Sequence, residues 1–333
     1  MMNLLRTSLF LSSILAATVA YTLPGPGTTW NMTDVLLGRC VEYRQCLHGG
    51  LCFPYYGDVN CDAAVDSFLG AFRGMDPCSA SYYAYDDFFN MVPPNTKPGT
   101  TIFWTGVSGA YIPHDVAEVS QEYIVLGETF PGYMALNLSF CGSTDPNEPS
   151  GFNYTVCPTE DTDRAGCSNN TFATFWDRVS ELFTRQATGE VHLVLNAQRD
   201  RGAYHLESTF ARVEVPALDP TKVTNVAIYL IPDFTLPTPN DKVRETCSNG
   251  TVASLRGVLT DLGLSNTCEE DPDDIMWLQC ARYPDSPYCI PYSRQEPNTG
   301  GGTGGSSAIA AASMTVLFLQ VVSTLLLSGC KID

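Results

Sequence analysis

Thirteen cysteines restrict the fold of this 333-residue chain more than any other feature. Cys330 lies close to the C-terminus in a segment that we expect to be removed, which leaves an even set for the folded body. In an oxidising compartment such a set is expected to pair into disulfides. Metal binding is the alternative. However, the chain has no Cys-x-x-Cys pair and only 4 histidines, so the sequence favours disulfides.

The N-terminus has the pattern of a secretory signal peptide. Arg6 precedes an apolar run over residues 9–17, and small residues lead up to Tyr21, where cleavage is expected. We therefore predict that residues 1–20 are removed and that the chain enters the secretory pathway.

The C-terminus has the pattern of a GPI-attachment signal. A Gly/Ser-rich linker over residues 293–307 precedes an apolar segment, and residues 308–333 are predicted to be removed. The candidate attachment residues are Asn298, Gly304, Gly305 and Ser306. A transmembrane helix is the alternative, because the apolar run is long enough to span a bilayer. A stop-transfer helix usually carries a basic flank, however, and only Lys331 follows here.

The body between these ends, residues 21–292, belongs to a strongly acidic chain with a formal net charge of −18. Such a charge argues against nucleic acid as a partner. The length is enough for one large domain or two small lobes. Glycosylation is predicted at five N-x-S/T sequons, namely Asn31, Asn137, Asn153, Asn169 and Asn249.

Apolar periodicity divides the body into two regions. It predicts helices over residues 61–72, 171–187 and 252–262, with a less regular helical pattern over 116–126. Short β-prone runs predict strands over 101–104, 191–195, 210–215 and 226–231. Residues 21–58 and 141–167 are predicted to be irregular. Strands alternating with helices indicate an α/β lobe in the second half, and the cysteine-rich first half is predicted to be mainly helical.

Two tryptophans and one glutamate are the candidate binding and catalytic residues. A tryptophan face attracts a planar cation, and a carboxylate stabilises an oxocarbenium-like centre when a glycosidic bond breaks. In the predicted strand, Glu214 shares a face with Phe210 and Arg212, which is typical of an ordinary solvated strand face. Trp176 lies on an apolar helix stripe and is more simply a core residue. Spacing alone therefore does not establish a site.

Ordered motifs add a family resemblance. They are G-R-C-V-E-Y at 38–43, D-S-F-L-G-A-F at 66–72, F-W at 103–104, G-Y-M-A-L-N-L-S-F-C-G at 132–142, C-S-N-N-T-F-A-T-F-W-D-R-V-S at 167–180, V-H-L-V-L-N at 191–196, S-T-F-A-R-V-E-V at 208–215 and L-D-P-T-K-V at 218–223. Their order, spacing and cysteine pattern resemble the ADP-ribosyl cyclase / NAD glycohydrolase family from Gly38 to Cys289. The resemblance implies an α/β fold of two interleaved lobes, disulfide-rich, with an active-site cleft between them. One lobe is mainly helical and N-terminal, and the other contains a small parallel sheet.

The resemblance also implies roles for individual residues. Glu214 matches the family's catalytic glutamate, and Trp104 and Trp176 match the tryptophans that stack on the substrate. The implied substrate-binding residues are Trp104, Trp176, Ser180, Thr209, Phe210 and Glu128. The resemblance implies no metal or prosthetic group, and it implies NAD as the substrate.

The same resemblance implies most of the disulfide pairs. They are Cys40–Cys61, Cys78–Cys167, Cys141–Cys157, Cys247–Cys268 and Cys280–Cys289, and the extra cysteines Cys46 and Cys52 are expected to pair with each other. One disulfide of some members has no counterpart, because Pro94 and Thr188 lie near its expected positions.

The chain departs from the family pattern beside the expected site. Gly127 stands where the family often has an acid that contacts nicotinamide, and Glu128 holds the neighbouring position. Leu136 and Asn137 stand where two acids are common. Glycosylation of Asn137 would argue against its deep burial in the cleft. The product ratio therefore does not follow from the resemblance.

These observations predict a GPI-anchored enzyme on the extracellular face of the plasma membrane that cleaves the nicotinamide–ribose bond of NAD. The expected products are nicotinamide with ADP-ribose, cyclic ADP-ribose or both, and base exchange is a further outcome. NADP as a second substrate and a homodimer are left open. The main alternative is a non-catalytic surface receptor or adhesion module on the same scaffold. It would be expected to lose Glu214 or a tryptophan, and neither is lost.

Overall fold

The computed structural model describes residues 26–45, 59–107, 111–120, 122–158, 167–239 and 242–293. The predicted signal peptide, the expected Cys46–Cys52 pair, nearly all of the linker and the GPI signal lie outside these residues. The described residues up to Ile290 belong to one compact unit. In the described part of the chain, no helix is both long enough and apolar enough to cross a membrane.

The helices of the described residues are mostly short. They are α1 (Met32–Arg44), α2 (Cys61–Gly70), α3 (Asp86–Met91), α4 (Tyr111–Ser120), α5 (Phe130–Ala135), α6 (Thr171–Gln186), α7 (Val215–Ala217), α8 (Gly250–Asp261), α9 (Asp273–Arg282) and α10 (Ile290–Ser293). Leu126–Glu128 and Pro287–Cys289 form 3₁₀ turns, and Phe210–Glu214 forms a π-helical turn.

A four-stranded parallel sheet forms the second lobe. Its strands are β1 (Ile102–Thr105), β2 (Gly189–Asn196), β3 (Val223–Ile231) and β4 (Asn266–Glu270), in the spatial order β1-β2-β3-β4. β2 is buried from Val191 to Asn196, as expected for a parallel strand covered on both faces. The carboxyl ends of β1 and β2 lie at the same edge of the sheet, where open α/β sheets bind their ligands.

The helical lobe is built around aromatic side chains. Phe68 of α2 is fully buried, and its ring centroid lies 5.1 Å from that of Phe140, 5.3 Å from Phe88 and 5.4 Å from Phe175. Such pairs contribute ~0.5–1.5 kcal/mol each beyond their buried area. Leu36 of α1 is buried in the same core.

Helix α6 joins the two cores. Its first half places Phe175 and Val179 in the helical core, and Phe183 near its end lies in the core that packs on the sheet. The side chain of Asn170 caps the helix by accepting a hydrogen bond from the Ala173 amide at 2.7 Å. Side chains at the middle of α6 therefore lie at the boundary between the two lobes.

Five of the expected disulfides are formed in the described residues. They are Cys40–Cys61, Cys78–Cys167, Cys141–Cys157, Cys247–Cys268 and Cys280–Cys289. The first joins α1 to α2, and the Cys247–Cys268 bond joins the loop before α8 to β4. Because each bond restricts the unfolded chain, it stabilises the fold by roughly 2–4 kcal/mol in typical cases.

Two sequence predictions about local structure in the first half of the chain are wrong. Helix α1 lies where an irregular segment is predicted. Its buried residues, Met32, Leu36, Cys40 and Tyr43, have helical spacing only when cysteine and tyrosine are counted as apolar. The helix expected over 116–126 instead ends at Ser120, because the following chain pairs with the sheet edge through the Ile124 amide.

Candidate active site

A cleft of about 1120 Å³ lies between the two lobes, at the carboxyl ends of β1 and β2. Of the residues expected to bind substrate or act on it, six line this cleft, namely Trp104, Trp176, Ser180, Thr209, Phe210 and Glu214. Glu128, the remaining one, does not belong to its lining. The fold therefore brings together six side chains that come from three separate stretches of sequence.

Glu214 ends the π-helical turn Phe210–Glu214, and the strand predicted over residues 210–215 is wrong. The amide of Ala211 donates to the Ser208 hydroxyl at 3.2 Å, which starts a helical path. Pro216 follows in the first turn of α7, a position that suits a residue without an N–H. These two signals override the β-propensity of the apolar residues between them.

The helical path explains why Glu214 faces inward. Glu214 and Phe210 are four residues apart and share one side of the turn, where they are 8% and 2% exposed. Arg212, which a strand would place on the same face, is exposed. The interpretation of Glu214 as an ordinary surface charge is therefore wrong. Local π-helical turns of this kind occur frequently at functional sites.

Trp176 and Ser180 reach the cleft from α6. The Trp176 ring is partly buried against the helical core and packs edge-on against Phe175, with centroids 5.2 Å apart. Its indole nitrogen is buried without a hydrogen-bond partner in the described part of the protein. Ser180, one turn further along, is 3% exposed. The helix thus supplies an aromatic wall with a hydroxyl beside it.

A second part of the cleft wall begins where β1 ends. Trp104 is partly buried near the end of the strand, and Gly106 follows it with a left-handed φ of 68°. A Cβ atom at Gly106 would lie 2.5 Å from Cδ of Arg199, so the turn requires glycine. Arg199 donates to the Thr105 hydroxyl at 3.1 Å, and Asn196 donates to the Gly106 carbonyl at 3.0 Å. Asn196 at the end of β2 and Arg199 beyond it therefore hold the turn that follows Trp104 in place.

Asp177 connects the α6 wall to the turn that carries Glu214. Arg212 donates to both of its carboxylate oxygens, at 2.9 and 3.0 Å, and the Thr209 hydroxyl donates to one of them at 3.4 Å. Both bonds come from one guanidinium nitrogen, Nη2, and charge-assisted bonds of this kind are stronger than neutral ones. The side chains of Asp177 and Arg212 therefore restrain the distance between helix α6, which carries Trp176, and the turn that carries Glu214.

Basic groups surround part of the cleft although the chain is acidic. Arg199, Arg201, Arg212 and His205 all belong to its lining, with Glu207 among them. Burial lowers the pKa of His205, and the nearby Arg199 lowers it further. The three guanidinium groups suit an anionic ligand such as a phosphate, and Arg201 and Arg212 also form ion pairs with Glu207 and Asp177. The described residues contain no cluster of His, Cys, Asp or Glu placed to hold a metal ion.

His114 takes up the space beside Gly127. A Cβ atom at Gly127 would lie 2.7 Å from Cε1 of His114, and both residues line the cleft. Nδ1 of His114 lies 3.8 Å from Oε1 of Glu128. Glu128 therefore lies beside the cleft-lining His114 without itself belonging to the lining, and its Oε2 accepts a hydrogen bond from the Val125 amide at 3.5 Å.

Sequence reasoning misses His114, Asp177 and the arginines after β2. Asp177 directly follows the F-W pair of α6, which is a usable signal once the helix is known. His114 and Arg199 carry no such signal, because they lie far in sequence from the residues they touch.

Known proteins are similar to this chain over most of its length. A family model described as ADP-ribosyl cyclase matches residues 29–289. Human ADP-ribosyl cyclase/cyclic ADP-ribose hydrolase 2 is 30% identical over 265 residues, which is 80% of this chain and 77% of that protein. The ADP-ribosyl cyclase/cyclic ADP-ribose hydrolase of Aplysia californica is 29% identical over 78% of this chain and 87% of its own.

Solved structures are similar over about three quarters of the chain. Aplysia cyclase complexed with substrate NGD and product cGDPR has a TM-score of 0.65 at 28% identity, covering 79% of this chain and 98% of that one. Porcine CD38 complexed with a covalent intermediate, ribo-F-ribose-5'-phosphate, has a TM-score of 0.63 at 30% identity, covering 74% and 98%.

Proposed function

The chain belongs to the ADP-ribosyl cyclase family, and from that premise we propose that Glu214 is its catalytic carboxylate. The protein is an NAD-cleaving enzyme of the cyclase/hydrolase type. It breaks the nicotinamide–ribose bond and yields nicotinamide with ADP-ribose, cyclic ADP-ribose or both. The family assignment favours this activity over a receptor or adhesion role on the same scaffold.

One observation carries the proposal for the site. The carboxylate of Glu214, 8% exposed, shares a cleft with the indoles of Trp104 and Trp176. A buried carboxylate in a partly apolar cleft interacts with a developing positive charge more strongly than one in water would. The two indoles offer flat surfaces for the rings of the substrate.

The proposed reaction begins with cleavage of the bond between the ribose and the pyridinium nitrogen. The bonding electron pair moves to the nicotinamide ring, which leaves as a neutral molecule, so no general acid is needed. Positive charge then develops on the ribosyl group, where Glu214 stabilises it and accepts hydrogen bonds from the ribose hydroxyls. Water attacks to give ADP-ribose and releases a proton. Attack by the adenine of the same molecule gives cyclic ADP-ribose, and attack by an added pyridine gives base exchange.

The remaining cleft residues have supporting roles in this proposal. Trp104 and Trp176 position the leaving ring and the acceptor. Ser180 and Thr209 lie near the ribose and the phosphates, and Arg199 is the cation expected to face the pyrophosphate. Phe210 is almost wholly buried in the sheet core beside Phe103. It therefore supports the wall more than it contacts the ligand.

Product analysis tests the function directly. The purified extracellular region is incubated with NAD, and the mixture is separated by chromatography. We expect nicotinamide to appear together with an equal total of ADP-ribose and cyclic ADP-ribose. Repeating the incubation with NADP tests whether the enzyme also cleaves NADP. Adding a pyridine base to the incubation with NAD measures base exchange. Absence of nicotinamide release from folded protein would contradict the proposal.

The disulfides are those of an extracellular domain, and we propose that a GPI anchor holds it at the outer face of the plasma membrane. The support is the small-residue linker and apolar tail of residues 293–333. Treatment of intact cells with a phosphatidylinositol-specific phospholipase should release the activity. Retention on the membrane, with a peptide containing Lys331 detected by mass spectrometry, would favour a transmembrane helix instead.

A further inference from the structure

Asn137 combines a glycosylation sequon with a place in the cleft wall. It begins the sequence Asn137-Leu138-Ser139, its side chain is exposed, and it belongs to the cleft lining. Its backbone is left-handed, with a φ of 57°, a conformation that asparagine tolerates better than most residues. The turn therefore displays the asparagine and does not bury it.

The backbone around Asn137 is held firmly. One guanidinium nitrogen of Arg39 donates to the carbonyls of Tyr133, Met134 and Leu136, at 3.1, 3.0 and 2.6 Å, and so satisfies the end of α5. Leu138, on the other side, is buried in the helical core. A sugar attached at Asn137 would therefore start from a fixed point on the wall.

The other four sequons differ from this one. Asn31, Asn153, Asn169 and Asn249 do not belong to the cleft lining. Asn249, for example, is exposed at the start of α8 in the other lobe. A glycan at any of these positions has no direct route to the substrate, which makes them matched controls.

We propose that Asn137 carries an N-linked glycan that stands at the rim of the cleft and limits the size of the molecules that enter. The cleft volume of about 1120 Å³ exceeds the usual range of ligand pockets, roughly 300–1,000 Å³, so a glycan can narrow the entrance without excluding a dinucleotide. Ligands extended by a polymer or a protein are the class that it excludes. The proposal rests on the proposed function only in taking this cleft as the substrate site.

The first measurement is occupancy. Glycopeptide mass spectrometry of the secreted protein should find sugar on Asn137, and an unmodified Asn137 would overturn the proposal whatever the activity. The variants Ser139→Ala and Asn137→Gln remove the sequon, whereas Ser139→Thr keeps it. Asn249→Gln removes a remote sequon and serves as the control.

The second measurement compares two substrates, free NAD and NAD linked to dextran through its adenine amino group. Loss of the Asn137 glycan should raise kcat/KM for the linked substrate about threefold or more, because access limits the rate of its productive encounter. Ser139→Ala should change kcat/KM for free NAD much less, and Ser139→Thr and Asn249→Gln should match the wild type. The proposal would be overturned if the ratio of kcat/KM for dextran-linked NAD to kcat/KM for free NAD were the same with and without the Asn137 glycan.

Two further readouts keep the test independent of folding and of catalysis. If a variant is not secreted, the folded wild-type protein is treated with peptide N-glycosidase and assayed with the same two substrates. Binding is followed in parallel through quenching of tryptophan fluorescence by free and dextran-linked NAD. If nicotinamide is never released, the proposed function fails. The presence of sugar on Asn137 and the relative affinities for free and dextran-linked NAD would still test whether the glycan limits access to the cleft.

Discussion

The imidazole of His114 lies directly against Gly127, so closely that a Cβ atom on that glycine would come within 2.7 Å of the ring and within 3.4 Å of Leu136. The ring is 23% exposed, and its Nδ1 lies 3.8 Å from the carboxylate of Glu128. A larger residue at position 127 must therefore move the histidine. The absence of an acid at position 127 therefore leaves the space that the His114 ring occupies.

Gly127→Glu and His114→Ala should consequently behave as a coupled pair. The single change Gly127→Glu displaces His114 and should lower the free energy of unfolding by about 1–3 kcal/mol, as overpacking typically does. The double variant removes the clash and places an acid beside the expected position of the leaving ring. We expect it to recover stability and to change the ratio of ADP-ribose to cyclic ADP-ribose, measured by chromatography. Additive effects of the two changes on both quantities would contradict the coupling.

Asp177 should act as a positioning residue, because it restrains the turn that carries Glu214. Asp177→Asn leaves Arg212 with a weaker partner, and we expect kcat/KM for NAD to fall about tenfold or more as Glu214 shifts. The control is Asp86→Asn, since both carboxylate oxygens of Asp86 also accept from an arginine, in this case from Nε and Nη2 of Arg178 at 2.7 and 2.9 Å, away from the cleft. Equal losses of activity in both variants would indicate general destabilisation instead.

The sequence predicts the parts of this fold that depend on local pattern. Helix α6 and strand β2 follow from apolar periodicity and from a continuous apolar run, and the structure has both. The segment of Glu214 is mispredicted because its β-prone residues lie between a serine and a proline that direct a helical turn. Strand β4 is missed because its sequence, N-T-C-E-E, is polar and mostly exposed at the sheet edge.

Some residues of the candidate site could likewise be predicted from the sequence, whereas others could not. The ordered motifs predict Glu214, Trp104 and Trp176 as site residues, whereas spacing alone favours an ordinary surface role for Glu214 and a core role for Trp176. His114 and Arg199 depend on contacts between segments far apart in the chain, such as the approach of Arg199 to the Gly106 turn. No local pattern encodes such a contact, so only the folded chain displays it.

His192 should make stability depend on pH. It is 6% exposed and contacts the Tyr229 hydroxyl and the Gly99 carbonyl, at 3.1 and 3.2 Å. Burial lowers its pKa from the ordinary value of 6.5, although Gly99 and nearby acids oppose the shift. Because the unfolded chain binds the proton more readily, the stabilisation is present above about pH 6.5 and is lost as the pH falls through the folded-state value.

Urea unfolding at pH 7.5 and at pH 5 measures this effect. The wild type should lose more free energy of unfolding between the two values than His192→Gln does. Both proteins share the remaining titrating groups, so the difference between their slopes isolates this histidine. Equal slopes would assign the pH dependence to other groups.

Trp176 should contribute to ground-state binding as well as to turnover. Stacking of a base on an aromatic side chain contributes ~1–3 kcal/mol, so Trp176→Ala should raise KM roughly tenfold or more and lower kcat too. The ring also packs on Phe175, so some stability will be lost. Trp176→Phe keeps a stacking face and should restore most of the affinity. A thermal melt of each variant separates the structural loss from the kinetic one.

Glu214→Gln is the most direct test of the proposed mechanism. The side chain keeps its size, so the π-helical turn, the disulfides and NAD binding should be retained. The variant removes the negative charge that faces a centre which becomes positive only in the transition state, so the loss should appear in kcat more than in KM. We expect kcat to fall by ~10²–10³ or more, as in comparable electrostatic sites. Unchanged melting temperature and fluorescence quenching by NAD would establish the control, and turnover near the wild-type rate would show that Glu214 is not the catalytic carboxylate.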